Sequence, residues 1–383
     1  MAKRILYLID GLAMGGAERG LVLTLRHLDR TRFEPEVAYL WPPAPLRVEI
    51  EALGIPVYEI GARRGPRALL SVRKVARLLR ERRFDAVHTA VVWASIVGRL
   101  AGRRAGVTVI SHIANVDPMG FMERELSDAT ARKARLVARL DEWTGRRLVD
   151  RFVAISEAVR AHPIRGASWD RSRIDVVLRG QDLQALRAEA LMEPDPPIED
   201  PGDPSIVCVA RLSPQKGHRH LIEAMRTVLD EFPNARLLLC GDGTLRPPLE
   251  RLAAPLGDRA AFLGVRLDAR ALVARAGLFA FPSLWEGQGN ALLEAMAVGA
   301  PIVATRIPAV EETLVDGEDA ILVAPGDARA LADGMLRMLR DPAAARAMGA
   351  RAEAAAERYD IGSTTRDLEA VYARVMDPDP KAS

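Results

Sequence analysis

Short apolar runs of strand type alternate with helical patterns along the whole chain, and this alternation restricts the fold more than any other feature. Parallel strands need a crossover connection, which is usually a helix, so the alternation predicts an α/β fold built from doubly wound parallel sheets. The predicted strands are residues 4–9, 36–40, 86–88, 107–110 and 152–155 in the first half, and 205–209, 235–240, 278–281, 302–305 and 320–323 in the second.

An acidic, proline-rich stretch separates the two series of strands. Residues 193–204 read EPDPPIEDPGDP, a composition that is stiff and unable to join either sheet. The sequence therefore predicts two Rossmann-like domains facing across a cleft, with ligands bound beyond the carboxyl ends of the strands. The predicted parts are a first domain (1–185), a linker (186–204), a second domain (205–361) and a C-terminal helix (362–376).

Composition excludes several classes of protein. With 49% hydrophobic and 27% charged residues, the chain has enough apolar material for two ordinary domains. No apolar run approaches the roughly 20 residues that a spanning helix needs, and the first strand follows Met1 too closely for a signal peptide, so we expect a cytoplasmic protein. Cys208 and Cys240 lie in apolar strand-like runs and are expected to be buried thiols rather than metal ligands or nucleophiles.

Charge is distributed unevenly along the chain. Residues 1–180 contain 32 Lys and Arg against 20 Asp and Glu, whereas residues 181–383 contain 22 against 31. An arginine-rich predicted helix around 67–83 has two interpretations: a surface that rests on the anionic inner face of a membrane, or an ordinary solvated helix. Aromatic residues make up 5% of the chain and are not interleaved with the basic runs, which argues against nucleic acid as a partner.

A glycine-rich segment carries the most specific chemical signal. Residues 286–294 read EGQGNALLE, between the strand 278–281 and a stretch of helix formers. Gly287 and Gly289 allow close approach of a ligand to the backbone, and the amides at a helix N-terminus favour phosphate. Glu294, one turn into the helix, would repel phosphate but can accept hydrogen bonds from a ribose diol, and Glu286 can do the same for sugar hydroxyls. The segment therefore predicts a site for a sugar nucleotide.

The spacing of the two glutamates resembles the E-x7-E signature of retaining glycosyltransferases of family 4, which have the two-domain GT-B fold. Further segments resemble that family in the same order along the chain. Residues 210–217 read ARLSPQKG, similar to G-R-L-x-x-x-K-G with alanine in place of the first glycine, and residues 15–19 read GGAER, similar to the glycine-rich first loop. The ordered set covers nearly the whole chain, and it implies that the C-terminal helix packs back on the first domain.

The resemblance also implies roles for individual residues. Arg211 and Lys216 would bind the donor diphosphate and stabilise it as the leaving group, so that no metal ion or other cofactor is required. Gly15 and Gly16 would approach the donor phosphates or the acceptor, and Leu263 would lie beside the nucleobase. The remaining donor-binding positions would be Gln288, Gly289, Asn290, Ala291, Leu292 and Glu294.

The first domain departs from the family pattern at two positions. Many members have a histidine near the transferred sugar, and His112 lies two positions before the expected place. His112 is either a residue that contacts the sugar or a structural histidine, and the same alternatives apply to His88. Arg179 replaces the asparagine of the family's I-P-N-G-V-D segment.

The sequence thus predicts a retaining hexosyltransferase that uses a nucleoside diphosphate sugar and a saccharide or lipid-linked acceptor alcohol, in cell-surface polysaccharide or glycolipid assembly. Arg211, Lys216, Glu286 and His112 are its candidate catalytic residues. Two alternatives stay open: a sugar-nucleotide epimerase of similar architecture, and a non-catalytic protein that binds nucleotide sugars.

Overall fold

The structure is a computed structural model, which describes residues 2–114, 128–161, 169–198 and 203–377. The chain forms two compact units. The first contains the residues up to Gly180 together with the segment from Ile361 onward, and the second is Gln181–Asp360.

The first unit is built on a seven-stranded sheet in the order β3-β2-β1-β4-β5-β6-β7, in which all neighbouring strands are parallel. Its strands are β1 (Lys3–Ile9), β2 (Phe33–Tyr39), β3 (Val57–Glu59), β4 (Ala86–Thr89), β5 (Thr108–Ile113), β6 (Arg151–Ala154) and β7 (Ile174–Val176). Its helices are α1 (Gly16–His27), α2 (Arg47–Ala52), α3 (Val72–Glu81), α4 (Val92–Ala105), α5 (Asp128–Leu148) and α6 (Glu157–Ala161), with 3₁₀ turns at Gly65–Ser71 and Arg171–Arg173.

The second unit has a six-stranded parallel sheet in the order β10-β9-β8-β11-β12-β13. The strands are β8 (Ser205–Val209), β9 (Arg236–Cys240), β10 (Ala260–Gly264), β11 (Leu278–Phe281), β12 (Ile302–Thr305) and β13 (Ile321–Val323). The helices are α7 (Leu183–Ala190), α8 (His218–Glu231), α9 (Arg246–Ala253), α10 (Ala269–Arg275), α11 (Asn290–Ala297), α12 (Pro308–Glu311), α13 (Ala328–Arg340) and α14 (Pro342–Ala356), with 3₁₀ turns at Pro214–Lys216, Ala254–Arg259 and Glu357–Tyr359.

Both faces of the first sheet are covered, which explains why its central strands are almost continuously apolar. Along β1, Leu6 and Leu8 enter one buried cluster, whereas Ile5, Tyr7 and Ile9 enter another on the opposite face. The alternation of side chains along a strand thus feeds two cores at once, as expected for a doubly wound sheet.

The sequence missed three strands, and all three lie at sheet edges. They are β3, β7 and β10, of three, three and five residues. Edge strands are paired on one side and are less buried than central strands, so their sequences lack the long apolar runs on which the predictions were based. Every central strand lies within a few residues of its predicted position.

The linker predicted over 186–204 is wrong in its first part. Residues 183–190 form α7, whose N-terminus is capped by Asp182 and whose Leu183 and Leu186 are buried within the second unit. The segment of proline and acidic residues that follows is also hydrogen-bonded to that unit, since Asp195 N donates to Asp268 Oδ2 at 2.8 Å. Residues 183–190 read LQALRAEA and lie before the acidic, proline-rich stretch, so the predicted linker began too early, and the first unit ends at Gly180 rather than at residue 185.

The last helix, α15 (Ile361–Met376), belongs to the first unit and packs against α1. Tyr372 of α15 is fully buried, and its hydroxyl lies 2.9 Å from that of Tyr7 on β1. The chain therefore returns to its first strand through a contact between residues 365 positions apart.

Candidate active site

Two loops at the carboxyl ends of neighbouring strands hold several of the predicted site residues of the second unit. One follows β8 and the other follows β11, and these strands pair directly. Hydrogen bonds fasten the loops together: Leu284 N donates to Gln215 O at 2.7 Å, and Gln215 Nε2 donates to Trp285 O at 2.8 Å. The loops therefore form one structural unit at the edge where parallel sheets bind ligands.

The pairing of the loops brings Lys216 and Glu286 into a direct ion pair. The Glu286 side chain is only 8% exposed, and its Oε1 also accepts a hydrogen bond from Ser283 Oγ at 2.8 Å. Gln215 Nε2 lies 3.4 Å from the other carboxylate oxygen. A buried carboxylate with several donors is held in one orientation, so the site is ordered before any ligand arrives.

Close backbone approach explains two of the glycines. Gly217 has φ of 65°, and a Cβ there would lie 2.0 Å from the carbonyl oxygen of Pro282 in the other loop. Gly289 has φ of 87° and precedes α11, where a Cβ would lie 2.9 Å from the ring of Phe281. Any side chain at either position would push the loops apart or displace the helix start.

The helix start itself retains the predicted geometry. α11 begins at Asn290, and no side chain of Gly289 can cap it. A helix N-terminus of this kind favours an anion such as phosphate. Ala291 is half-buried, whereas Gln288 and Leu292 are buried, so Leu292 presents its backbone rather than its side chain to a ligand.

Arg211 differs from Lys216 although both were predicted to bind the diphosphate. Its side chain is exposed and has no hydrogen bond or ion pair with another residue of the described chain. Lys216 is already paired with Glu286, so the two cations start from different states: one is solvated and the other is held in place.

Glu294 contacts a residue that the sequence did not single out. Its Oε2 lies 3.1 Å from Nε of Arg270 on α10, and the same nitrogen lies 3.6 Å from Glu189 on α7. Burial raises the pKa of Glu294, and the charge of Arg270 opposes that rise. No pattern of spacing marked Arg270, because its importance depends on how α10 packs against α11.

Leu263 is half-buried near the end of β10, the edge strand of the second sheet. The next residue, Gly264, has φ of 69° and accepts a hydrogen bond from Gly241 N at 2.6 Å. The chain therefore turns sharply at Leu263, and its backbone lies at the carboxyl end of the sheet.

In the first unit, Gly15 and Gly16 form the start of α1, with Gly15 at the N-cap. A Cβ at Gly15 would lie 2.4 Å from the carboxylate of Glu18, the acidic residue of the first turn. Both glycines thus lie at a helix N-terminus at the carboxyl end of β1, as the sequence predicted.

The two candidate histidines lie on neighbouring strands with ring centroids 5.6 Å apart. His88 on β4 is buried, its Nδ1 lies 2.5 Å from the hydroxyl of Tyr372, and burial lowers its pKa to about 3. His112 on β5 is partly exposed, and burial, His88 and Arg179 together hold its pKa well below the usual value. Both imidazoles are therefore neutral at pH 7.

The cysteines are buried free thiols, and burial raises the pKa of each to about 12. Within the described ranges, no group of three or more His, Cys, Asp or Glu side chains is arranged to hold a metal ion. In the same part of the chain, no helix has the length and apolar character needed to cross a bilayer.

Comparison with known families agrees with this geometry. Residues 14–185 match the family described as Glycosyltransferase Family 4, and residues 203–341 match Glycosyl transferases group 1. Together the two matches cover most of the chain, which belongs to the group 1 glycosyltransferases and has the GT-B fold of two Rossmann-like domains. It is therefore an enzyme, a hexosyltransferase that uses a nucleotide sugar.

Individual relatives are more distant. The chain is 25% identical over 324 residues to the putative glycosyltransferase EpsD of Bacillus subtilis, covering 82% of this chain and 83% of EpsD. It is 28% identical to the UDP-Gal:alpha-D-GlcNAc-diphosphoundecaprenol alpha-1,3-galactosyltransferase of Escherichia coli, covering 71% of this chain and 70% of the relative. Among solved structures it resembles HepE of Anabaena in complex with UDP and glucose, with a TM-score of 0.80, 23% identity and coverage of 96% and 99%.

Proposed function

We propose that this enzyme is a retaining glycosyltransferase that moves a hexosyl group from a nucleoside diphosphate sugar to an acceptor alcohol of a cell-surface polysaccharide or glycolipid. The ion pair between Lys216 and Glu286 carries this proposal, because it joins a phosphate-binding cation to a sugar-binding carboxylate beside a helix N-terminus. The Escherichia relative, named for a UDP-sugar donor and a lipid-linked saccharide acceptor, supports both classes, and the UDP complex of HepE supports the donor class.

The diphosphate is stabilised by fixed positive charge as it leaves. Arg211 contributes a guanidinium fork, Lys216 contributes a point charge, and α11 contributes the amides of its first turn. Such preorganised groups are worth most where negative charge develops in the transition state. When the diphosphate binds, Lys216 also pairs with phosphate and its interaction with Glu286 weakens. The Glu286 oxygens can then accept hydrogen bonds from the sugar hydroxyls.

The two glutamates act on different parts of the donor. Glu294 lies within α11 and accepts hydrogen bonds from the ribose diol, while Glu286 on the loop accepts from the transferred sugar. We therefore expect Glu294→Ala to weaken both UDP and the sugar nucleotide, and Glu286→Ala to spare UDP while abolishing transfer. Calorimetry with both ligands decides this, and normal UDP binding by both variants would remove the ribose assignment.

The acceptor attacks the anomeric carbon on the face that the diphosphate leaves. The new bond to the acceptor oxygen forms as the bond to the diphosphate oxygen breaks, and that departing oxygen takes the acceptor proton. No described carboxylate is placed here as a covalent nucleophile, since Glu286 is assigned to the sugar hydroxyls. The anomeric proton coupling of the first product in nuclear magnetic resonance tests retention, and an inverted configuration would contradict it.

We further propose that no metal ion takes part, because two cations and a helix terminus offset the charge of the diphosphate. Binding of UDP and transfer should be unchanged in EDTA. Loss of either on chelation, restored by added magnesium, would contradict this part of the proposal.

The two alternatives that the sequence left open are not favoured by the matches to glycosyltransferases, and they make different predictions. An epimerase would convert the donor into an isomer without any acceptor, and a non-catalytic binding protein would bind the donor without consuming it. Incubation with the donor alone, followed by addition of acceptor extracts, separates the three functions by which product forms.

The basic surface of the first unit supports a further part of the proposal, contact with an anionic membrane at the cytoplasmic face. Arg73, Arg77 and Arg80 are exposed on α3. The sequence interpretation of an amphipathic membrane helix needs one correction, because Val75 and Leu79 are buried in the first unit and offer no apolar face to lipid. Attachment would therefore be electrostatic and weak, about 1 kcal/mol for each engaged arginine.

Cosedimentation with anionic and neutral vesicles tests this contact. The triple variant Arg73→Glu, Arg77→Glu, Arg80→Glu should lose binding to anionic vesicles at low salt. The matched control changes three exposed arginines of the second unit by the same total charge, namely Arg219→Glu, Arg226→Glu and Arg251→Glu. Equal losses in both triples would show dependence on net charge rather than on this surface.

A further inference from the structure

The first unit contains a cavity of about 80 Å³ between one face of its sheet, α1 and α15. Tyr7, His88 and His112 line it from three neighbouring strands, and Thr365 lines it from α15. A single buried water needs about 10–15 Å³ by the same measure, so the cavity has room for several waters or one small organic molecule.

Small residues create this space. α1 presents Ala17 and Gly20 to the cavity, where most helices that pack on a sheet present large apolar side chains. The other walls are mainly apolar, including Leu21 and Val153. The cavity is partly open to solvent, so a small molecule can enter it.

Two polar atoms of the lining residues have no partner within the described chain. Nε2 of His88 and Oγ1 of Thr365 are both buried without a hydrogen bond. A threonine within a helix usually bonds back to a carbonyl of the preceding turn when no other partner exists, and Thr365 does not. Buried polar atoms normally have partners, so a ligand or water in the cavity would satisfy both.

The hydrogen bonds on the other side of His88 indicate which proton it carries. Tyr7 and Tyr372 hydroxyls lie 2.9 Å apart, and the Tyr372 hydroxyl lies 2.5 Å from His88 Nδ1. If Tyr7 donates to Tyr372 and Tyr372 donates to Nδ1, each hydroxyl proton has an acceptor. In the reverse direction Tyr7, which also lines the cavity, would hold the free proton, and Nε2 of His88 would be an acceptor that a carboxylate cannot satisfy. A carboxylate in the cavity therefore requires the proton on Nε2, where it is a donor available to the ligand.

Charge around the cavity favours an anion. Arg179 lines it, at the position where the family pattern has asparagine, and no Asp or Glu lines it. The histidines are neutral, so the arginine supplies the net charge. The ligand must accept hydrogen bonds from His88 and Thr365 beside a guanidinium, and the group that fits these requirements best is a carboxylate.

We propose that this cavity binds a small carboxylic acid in its ionised form, with an apolar body against the sheet and the carboxylate at His88, Thr365 and Arg179. The proposal is independent of the donor site in the second unit, since every lining residue belongs to the first. His112 is shared with the candidate catalytic residues, so the measurement that separates the two proposals is binding of UDP, which tests the second unit alone.

Calorimetry on the full chain with hexanoate and with 1-hexanol tests the class of ligand. For a ligand of this size we expect a dissociation constant for hexanoate on the order of 1 mM. Binding of 1-hexanol, which has the same chain without the charge, should be about ten-fold weaker. Equal affinities, or no binding of hexanoate at several times that concentration, would overturn the proposal.

A matched pair of threonine variants tests the place. Thr365→Val removes the unpartnered hydroxyl and should weaken hexanoate about ten-fold, without lowering the melting temperature. Thr24→Val removes another lining hydroxyl, which already donates to Gly20 O at 2.9 Å, and should leave hexanoate affinity unchanged. Equal effects of the two would overturn the assignment. Arg179→Gln gives a second measurement, with hexanoate weakened about ten-fold and 1-hexanol unchanged.

Discussion

The two units hold their candidate site residues in opposite ways. In the second unit, the chemistry lies on loops after the strands, and Lys216 and Glu286 are joined by contacts between neighbouring loops. In the first unit, His88 lies within a strand, and its partner Tyr372 comes from a helix 284 residues further along the chain. The arrangement in the second unit can be recognised from short motifs, whereas the arrangement in the first unit depends on how distant parts of the fold pack.

This difference has a physical origin. A loop that must approach phosphate or another loop needs glycine and charged residues at fixed spacings, and such requirements are visible in sequence. A buried histidine can be structural or functional with the same neighbours along the chain, because burial and hydrogen bonding decide its state. Variants that act through local contacts and variants that act through packing should therefore behave differently in the two units.

Lys216→Ala should produce the largest change. Removing a preorganised cation from the departing diphosphate is expected to lower the transfer rate by about 10²–10³-fold. The variant should also weaken UDP, because a charged contact contributes about 1.5–3 kcal/mol. Steady-state kinetics and calorimetry measure both effects. Arg219→Ala, an exposed cation three residues away, is the control. Unchanged UDP affinity in Lys216→Ala would show that Lys216 does not bind the donor. The contrast between the two units would then lose its main support.

Gly217→Ala tests whether contact between the loops, rather than charge alone, builds the site. The new Cβ would lie 2.0 Å from Pro282 O on a backbone with positive φ, and strain and crowding together should cost about 3 kcal/mol of stability. Gly317→Ala is the matched control, since Gly317 also has positive φ (79°) but has no atom within 4 Å of the new Cβ, so it should cost about 1 kcal/mol. Denaturant unfolding measures the two. Similar losses would mean that backbone strain is the whole effect.

Acid should weaken the first unit through His88. The unfolded chain takes up a proton on this histidine near pH 6.5, whereas burial lowers the folded pKa to about 3. Stability from His88 is therefore complete above pH 6.5 and is lost as the pH falls toward 3, by up to about 2 kcal/mol between pH 6.5 and 5. Unfolding at several pH values should show this slope in the wild type and a smaller slope in His88→Leu. Identical slopes would show that His88 is not held neutral.

The outcome of sequence reasoning follows the same division. The central strands, the glycine-rich helix start and the lysine opposite Glu286 all follow from runs or spacings within a short segment. Three of the four edge strands, helix α7 and Arg270 were missed, because short edge strands and single contacts between helices leave little periodic signal. The alternatives for His88 stayed open for the same reason. Its partner Tyr372 lies on α15, and only the folded structure shows that α15 returns to β1.

Arg270→Leu should have the smallest effect and tests whether the second unit also contains a positioning residue that acts through packing. Arg270 contacts Glu294 at 3.1 Å and opposes the rise in the pKa of that carboxyl caused by burial. Without Arg270 the pKa of Glu294 rises further, so the protonated carboxyl, which accepts hydrogen bonds from ribose less well, persists to higher pH. UDP should bind about three-fold more weakly at pH 7, and the loss should shrink as the pH rises. Arg275→Leu on the same helix, which contacts Glu193 instead, should leave UDP affinity unchanged at every pH. A loss in Arg270→Leu that is the same at all pH values would mean that the arginine orients Glu294 without controlling its charge.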